Sequence, residues 1–340
     1  MPRVTVLMPV RNQADSLPRA MQSILQQSWR DLQLLVLDDG SEDGSGHVAE
    51  AVQDPRVVVC KSDQAVGLPE ILNRGLALSD SEFVARMDAD DWSHPQRLSA
   101  QIVYLTQYTD VAACGTAVTV CMPDGSSRVR HYPTSNAAIR ARLLFENAIA
   151  HPASMLRRSV LDSLELGYDP AYPKSQDYDL WERLARQVKL ANLSKSYLEY
   201  RVQSRGPEHF LHQRELADRI RLRQIEALGM RPTPSEWELH RALCAWDGEV
   251  MGRRAAELED WLLHLIEANE ACRLYEHQFF RDEVLTRFRR LCRLINKGGK
   301  DGWRYWHSAS TLRSGEFRFW DYLHLPVWHR ARLTAPVRRG

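Results

Sequence analysis

Three aspartates in four positions, Asp88, Asp90 and Asp91, close the apolar run Phe83-Val84-Ala85-Arg86-Met87. Phe83, Val84 and Met87 suit a buried strand, which puts the carboxylates at its C-terminal end, where open α/β sheets bind their ligands. Like charges this close repel and raise one another's pKa unless a cation lies between them, and carboxylate oxygens are hard ligands suited to a divalent ion. The competing reading is an acidic turn in which Asp91 or Ser93 caps a helix patterned over 96–104, with Pro95 at its start. Asp88 and Asp90 are read as ligands, Asp91 as ligand or cap.

Two further acidic sites invite the same weighing. Asp38-Asp39-Gly40-Ser41 is either a plain turn or a second acidic strand end on the same sheet edge, where a carboxylate accepts hydrogen bonds from a base or a ribose hydroxyl. Asp177 and Asp179 open a helix whose apolar face is Leu180, Trp181, Leu184 and Val188. Taken alone, Asp177 is a cap or a partner for the helix dipole, worth about 1 kcal/mol. His151, before Pro152, reads as a hydrogen-bonded structural residue rather than a catalyst.

The elements that must position these residues alternate. Strands are expected over 4–10, 32–37, 57–60 and 83–87, with helical patterns between them, a spacing that predicts βαβ units and a parallel sheet. From Val111 the pattern turns to strand and hairpin about Pro123-Asp124-Gly125, then to short helices. Gly206-Pro207 marks a boundary. Helical patterns follow over 210–228, 235–246, 255–268 and 275–295.

The motifs, in chain order, resemble the family 2 glycosyltransferases. They are Val6-Leu7-Met8-Pro9-Val10-Arg11-Asn12, Ser23-Ile24-Leu25-Gln26-Gln27-Ser28, Leu35-Val36-Leu37-Asp38-Asp39-Gly40-Ser41, Gly67-Leu68 with Leu72-Asn73-Arg74-Gly75, and Ala85-Arg86-Met87-Asp88-Ala89-Asp90-Asp91. The resemblance implies an α/β GT-A fold with a mostly parallel, Rossmann-like sheet over residues 1–205. Its nucleotide-sugar half would be residues 1–110 and its acceptor half 111–205, followed by a helical subdomain over 206–340. It implies transfer of one sugar from a nucleoside diphosphate sugar, with a UDP-sugar favoured, to a glycan or lipid-linked acceptor. Pro9, Val10, Arg11, Asp38 and Asp39 fall at positions that hold the nucleoside, and Arg74 at a basic position near the nucleotide. Asp88 and Asp90 match the Asp-x-Asp motif for ribose and metal, Mg²⁺ or Mn²⁺, and Asp177 matches the catalytic base of inverting members. Arg11 stands where the family usually has an aromatic residue, so any stacking there falls to its guanidinium plane.

Lys+Arg 45 against Asp+Glu 44 leaves the chain near neutrality, which argues against a dedicated nucleic-acid binder. Six cysteines without zinc or C-x-x-C spacing suit a reducing compartment. With no signal-like run and no stretch approaching the ~20 apolar residues of a membrane span, a cytoplasmic protein is expected. No Gln-x-x-Arg-Trp sequence of processive synthases occurs, so extrusion of a polymer is not expected, and a role in surface polysaccharide, lipopolysaccharide or glycolipid synthesis is. The rivals are a nucleotidyltransferase, which wants a Gly-rich basic loop that Pro9-Val10-Arg11-Asn12-Gln13 does not supply, and a catalytically silent sugar-nucleotide binder. A homodimer is one open option. Another is a peripheral membrane contact through residues 285–330, where Leu285, Phe288, Leu291, Cys292 and Ile295 run beside arginines and lysines.

Overall fold

The computed structural model of the chain describes residues 2–203 and 206–297. The first half runs β1 (Val4–Val10), α1 (Leu17–Leu25), β2 (Leu32–Asp39), α2 (Ser45–Glu50), β3 (Val57–Ser62), α3 (Leu68–Ala77), β4 (Phe83–Arg86), β5 (Trp92–Ser93) and α4 (Arg97–Gln107). There follow β6 (Val111–Cys121), β7 (Ser127–Arg130), α5 (Asn136–Leu143), β8 (Met155–Arg157), α6 (Arg158–Ser163), α7 (Gln176–Ala185) and β9 (Lys189–Arg201). The remaining elements are helical: α8 (Pro207–Ala227), α9 (Pro234–Ala245), α10 (Gly248–Arg253), α11 (Ala255–Cys272) and α12 (His277–Lys297).

One nine-stranded sheet has the order β3-β2-β1-β4-β8-β6-β9-β5, with β7 beside β6. Strands β3, β2, β1 and β4 are mutually parallel, as the βαβ spacing predicts. Beyond β4 the sheet is mixed, because β8 is antiparallel to β4 and β6 while β9 is parallel to β6. Every residue of β1 is buried, since helices cover both faces. Val4, Val6, Met8 and Val10 join Leu17, Met21 and Ile24 of α1 and Leu98 and Ile102 of α4 on one face. Leu7 packs on the other with Ile71 and Leu72 of α3 and Trp181 of α7. This double cover is why the strand reads as an unbroken apolar run.

Pro9 sits inside this central strand without leaving a neighbour unpaired. Leu7 carbonyl accepts from Met87 N–H (3.0 Å) on the β4 side, so Pro9, two residues on, turns the same edge toward the place that β4 has already left. The missing donor therefore falls where the sheet opens, at the mouth of the site.

Two compact units divide the described residues: those up to 232 with 268–283, and 233–267 with 284–297. In the second, Thr233 and Glu236 form a capping box that starts α9. Its core holds Met251, Leu258, Trp261, Leu262, Leu265, Val284, Leu285 and Phe288, and the buried Arg287 guanidinium lies 4.9 Å from the Trp246 ring centroid. Leu285 and Phe288, which the membrane-contact option would turn toward lipid, are thus core residues of this unit. The side chains of Leu291, Cys292 and Ile295, and residues 298–330, lie outside the described residues. Among the described residues, no helix is long and apolar enough to cross a membrane.

Candidate active site

The C-terminal ends of β1 and β2 are tied into one rim. Asn12, in the left-handed region at φ 52°, donates its N–H to Ser41 Oγ (3.0 Å) and accepts Glu42 N–H at Oδ1 (2.9 Å). Asp38 accepts from Ser41 N–H (3.0 Å), so it closes the turn that the plainer reading expected. Asp39 does different work. It accepts from Val66 N–H (2.6 Å) and Gly67 N–H (3.1 Å), holding the loop before α3 against the strand end. Gly40, at φ 67°, is required there, since a Cβ would stand 2.7 Å from Ala65 N. Arg74 is exposed on α3, with a hydrogen bond to Ser62 Oγ (3.1 Å), and does not line the cleft described below.

The chain leaves β4 after Arg86, turns through Met87–Asp91 and pairs antiparallel with β9 at Trp92 and Ser93. The three aspartates each present an oxygen within 4.8 Å of the others. Each also has one oxygen held by protein. Asp88 is ion-paired with Arg86, Asp90 accepts from Gln203 Nε2 (2.6 Å), and Asp91 accepts from Arg201 N–H (2.9 Å). Neither Asp91 nor Ser93 caps a helix: α4 begins at Arg97 after Gln96, and Ser93 Oγ accepts from Gln27 Nε2 (3.1 Å). The capping alternative is therefore discarded.

Electrostatics explain what this loop lacks. Burial, with Asp88 close by, raises the Asp90 carboxyl, and the same two causes raise Asp91 well above the ordinary range. Two buried arginines answer part of the charge. Arg86 lies under Asp88, and Arg97 donates to the carbonyls of Arg86 (3.0 Å) and Pro152 (2.6 Å), its pKa pulled down to about 9 by burial. Asp91 Oδ2 remains buried without a hydrogen-bond partner. Oxygen ligands of this density, with one orphaned, fit a divalent cation such as Mg²⁺ or Mn²⁺.

Two clefts meet at this point. The first, about 420 Å³, is lined by Pro9, Val10, Arg11, Asp39, Asp88 and Asp90, among others. The second, about 780 Å³, is lined by Asn147, His151, Lys174 and Asp177, among others. Arg86, Asp88, Leu68, Tyr200, Val202 and Gln213 line both. The structure thus brings the expected Asp177 into a space contiguous with Asp88, while neither Asp38, which is buried, nor Arg74, which is exposed, lines either cleft.

Asp177 is the second residue of α7, after Ser175 at the N-cap position, so it sits in the first turn rather than capping it. Its Oδ2 accepts from Asn147 Nδ2 (2.6 Å), and burial is the main cause of a raised pKa, opposed by hydrogen bonds and by Arg86. Asp179 is fully buried and accepts from Arg183 (2.7 Å) and Arg223 (2.9 Å), which ties the first turn of α7 to α8. His151 contacts Tyr168 Oη through Nε2 (2.9 Å), and burial holds it well below its usual pKa, hence neutral.

Sequence reasoning assigned no part to Arg86, Asn147 or Gln203. Only Arg86 carried a signal: a charge inside an apolar strand demands a buried partner.

Residues 5–164 match the profile of Glycosyl transferase family 2. A curated relative, the O-antigen biosynthesis glycosyltransferase WbnJ of Escherichia coli, is 28% identical over 214 residues, 60% of this chain and 82% of that protein. Across it and three other curated relatives, the match spans 66% to 82% of their lengths. The fold is similar to that of S. aureus TarS 1–349 in complex with UDP-GlcNAc, at TM-score 0.58 and 14% identity, covering 87% of this chain and 92% of that one. It is also similar to the mannosyltransferase PcManGT from Pyrobaculum calidifontis in complex with GDP-Man and Mn²⁺, at TM-score 0.54 and 15% identity, covering 93% and 81%. Asp177 lies beyond the matched residues, whereas the Asp88-Ala89-Asp90 motif, the rim of β1 and β2 and the buried Arg86 lie within them, so that residues 5–164 are a family 2 glycosyltransferase domain and the sheet that contains them is of GT-A type.

Proposed function

We propose that the protein transfers one sugar from a nucleoside diphosphate sugar to an acceptor hydroxyl, with inversion, in the assembly of a surface glycan. The observation that carries this reading is the junction of the two clefts at Arg86 and Asp88, with the acidic loop bordering one and Asp177 the other. The O-antigen role named for WbnJ supports the glycan class, and the UDP-GlcNAc and GDP-Man of the two structural neighbours support a nucleotide-sugar donor.

In this reading Pro9, Val10, Arg11 and Asp39 border the nucleoside, Asp38 and Arg74 support it from outside the lining, and Asp88, Asp90 and Asp91 would hold Mg²⁺ or Mn²⁺. That ion, when bound, neutralises charge on the departing diphosphate. Asp177 takes the proton of the acceptor hydroxyl as that oxygen bonds to the anomeric carbon and the bond from carbon to the diphosphate oxygen breaks. Asn147 holds Asp177 Oδ2 and so fixes the orientation of the carboxylate. Arg86 sets a positive charge between the two clefts. A single in-line displacement inverts the anomeric centre.

The test compares Asp90→Ala with Asp177→Asn in the full chain, using a panel of nucleotide sugars with Mn²⁺. Asp90→Ala should lose the metal-dependent thermal shift given by nucleoside diphosphates, and Asp177→Asn should keep it while losing transfer. Wild-type turnover by Asp177→Asn removes the base, NMR couplings that reveal retention remove the mechanism, and release of pyrophosphate instead of nucleoside diphosphate removes the reaction class.

A further inference from the structure

Resting on that reading, we propose that His151 is an acceptor-binding residue, whose Nδ1–H, fixed by Tyr168, donates to an oxygen of the acceptor sugar in the second cleft. His151 lines that cleft and is otherwise buried. Its Nε2 lies 2.9 Å from Tyr168 Oη, and the two rings meet edge to face with centroids 5.4 Å apart. Tyr168 decides which nitrogen carries the proton. Its phenol is buried, and among the described residues His151 Nε2 is the one hydrogen-bond partner of its oxygen. Burial raises the phenol's pKa, so it stays protonated, and a buried O–H left without an acceptor is costly. The phenol therefore donates to Nε2. The imidazole, kept neutral first by burial and then by Arg86, must hold its own proton on Nδ1.

Tyr168 is itself held from two sides. Asn73 of α3 brackets its peptide, accepting Tyr168 N–H at Oδ1 (2.8 Å) and donating from Nδ2 to the Tyr168 carbonyl (2.7 Å). The preceding carbonyl, that of Gly167, accepts from Arg183 Nη2 of α7 (2.6 Å). A Cβ at Gly167 would stand 2.8 Å from Asn73 Oδ1, so a side chain there would push the bracket open. Asn73, from the motif Leu72-Asn73-Arg74-Gly75, thus positions the phenol that sets the His151 tautomer. Among the described residues Nδ1 has no hydrogen-bond partner. Enclosed N–H groups are normally paired, and the space that His151 lines is the cleft it shares with Asp177. One sugar hydroxyl would then give its proton to Asp177 while another oxygen accepts from His151, two points that fix which face of the acceptor is presented.

The experiment uses the full chain labelled with ¹⁵N-histidine, with Mg²⁺ and the nucleoside diphosphate that most raises its melting temperature. The probes are p-nitrophenyl α- and β-glycosides of glucose, galactose, mannose and N-acetylglucosamine. His151 should show a protonated Nδ1 and a bare Nε2, Tyr168→Phe should release that tautomer, and at least one glycoside should move the Nδ1–H resonance. Kinetics separate the two nitrogens, because asparagine places an amide nitrogen near the Nδ1 position and glutamine near the Nε2 position. His151→Gln should raise the acceptor KM about fivefold, the worth of one neutral hydrogen bond, as an effect on KM rather than kcat. His151→Asn should recover most of that loss. A purely structural His151 predicts the reverse order, since glutamine keeps the bond to Tyr168. The proposal is overturned by that reverse order, by a proton on Nε2, or by glycosides that leave the Nδ1–H resonance where it was. Absence of any nucleoside-diphosphate shift would count against glycosyl transfer itself, and the His151 spectrum with the glycosides would still decide the donor.

Discussion

The hydrogen bond from Asn147 Nδ2 to Asp177 Oδ2, 2.6 Å long, gives the most exacting check on the base. Burial raises the Asp177 carboxyl and this bond opposes it, so deleting the bond must raise the carboxyl further. A hydrogen bond to a charged group contributes about 1.5–3 kcal/mol, and one pH unit corresponds to about 1.4 kcal/mol. Because Asp177 lines an open cleft, water takes over part of the lost bond, and the lower end applies: about one pH unit. A base works deprotonated, so the acid limb of the rate profile should move to higher pH by about that amount in Asn147→Ala. On the limb the rate falls about tenfold; on the plateau it stays near wild type. Asn147 Oδ1 also accepts from Ile149 N–H (3.2 Å), so the alanine variant loses some local order as well. Asn147→Asp keeps that acceptor and sets a second carboxylate against Asp177, which should drive the limb further still. Initial rates of nucleoside diphosphate release in a buffer series, with melting curves beside them, measure all three proteins. If the limbs of wild type, Asn147→Ala and Asn147→Asp coincide while all three stay folded, Asp177 is not the titrating base.

Other consequences follow from the same geometry. Asp177, with its folded pKa raised, costs stability as pH rises through the window between its unfolded and folded values, so Asp177→Asn should melt higher than wild type above that window and equal to it below; a scan showing the opposite order contradicts the burial argument. Gly40→Ala forces φ 67° on a Cβ that meets Ala65 N, and should cost about 1–3 kcal/mol in denaturant melts. The same variant should weaken nucleoside-diphosphate binding through the loop that Asp39 holds, and unchanged binding would unlink that loop from the first cleft. For the tail, co-sedimentation with anionic liposomes at low and high salt compares the full chain with one ending at residue 297. Salt-sensitive binding by the full chain alone supports a contact through the last residues, and none by either withdraws it.

Much of the parallel half was legible because β1, β2 and β4 are buried on both faces and read as apolar runs. The mixed half was not. β9 spans thirteen residues, yet Lys189, Ser194, Lys195 and Arg201 break its pattern, and its register against β6 shifts between Thr116 and Val118, which destroys simple alternation. β8 and β5 are three and two residues long, too short for any period to show. In the site, the carboxylates announced themselves by spacing, but what holds them did not. Gln203 reaches Asp90 from 113 positions away and Arg201 reaches Asp91 from 110, distances over which sequence pattern carries no information.

That long-range clamp has a bearing on how such enzymes can be recombined. Arg201 ends β9, Gln203 follows it, and Gln213 on α8 borders both clefts, so the first cleft is finished by residues up to nearly fifty positions past the last one that matches the family profile. A chimera joined at residue 164 would transplant the acidic loop without its lock, leaving Asp91 buried beside a foreign strand. Exchanges between relatives should therefore be confined to segments such as the β6–β7 hairpin that can be spliced within the frame, and whole-domain grafts should carry the parent chain through Gln213.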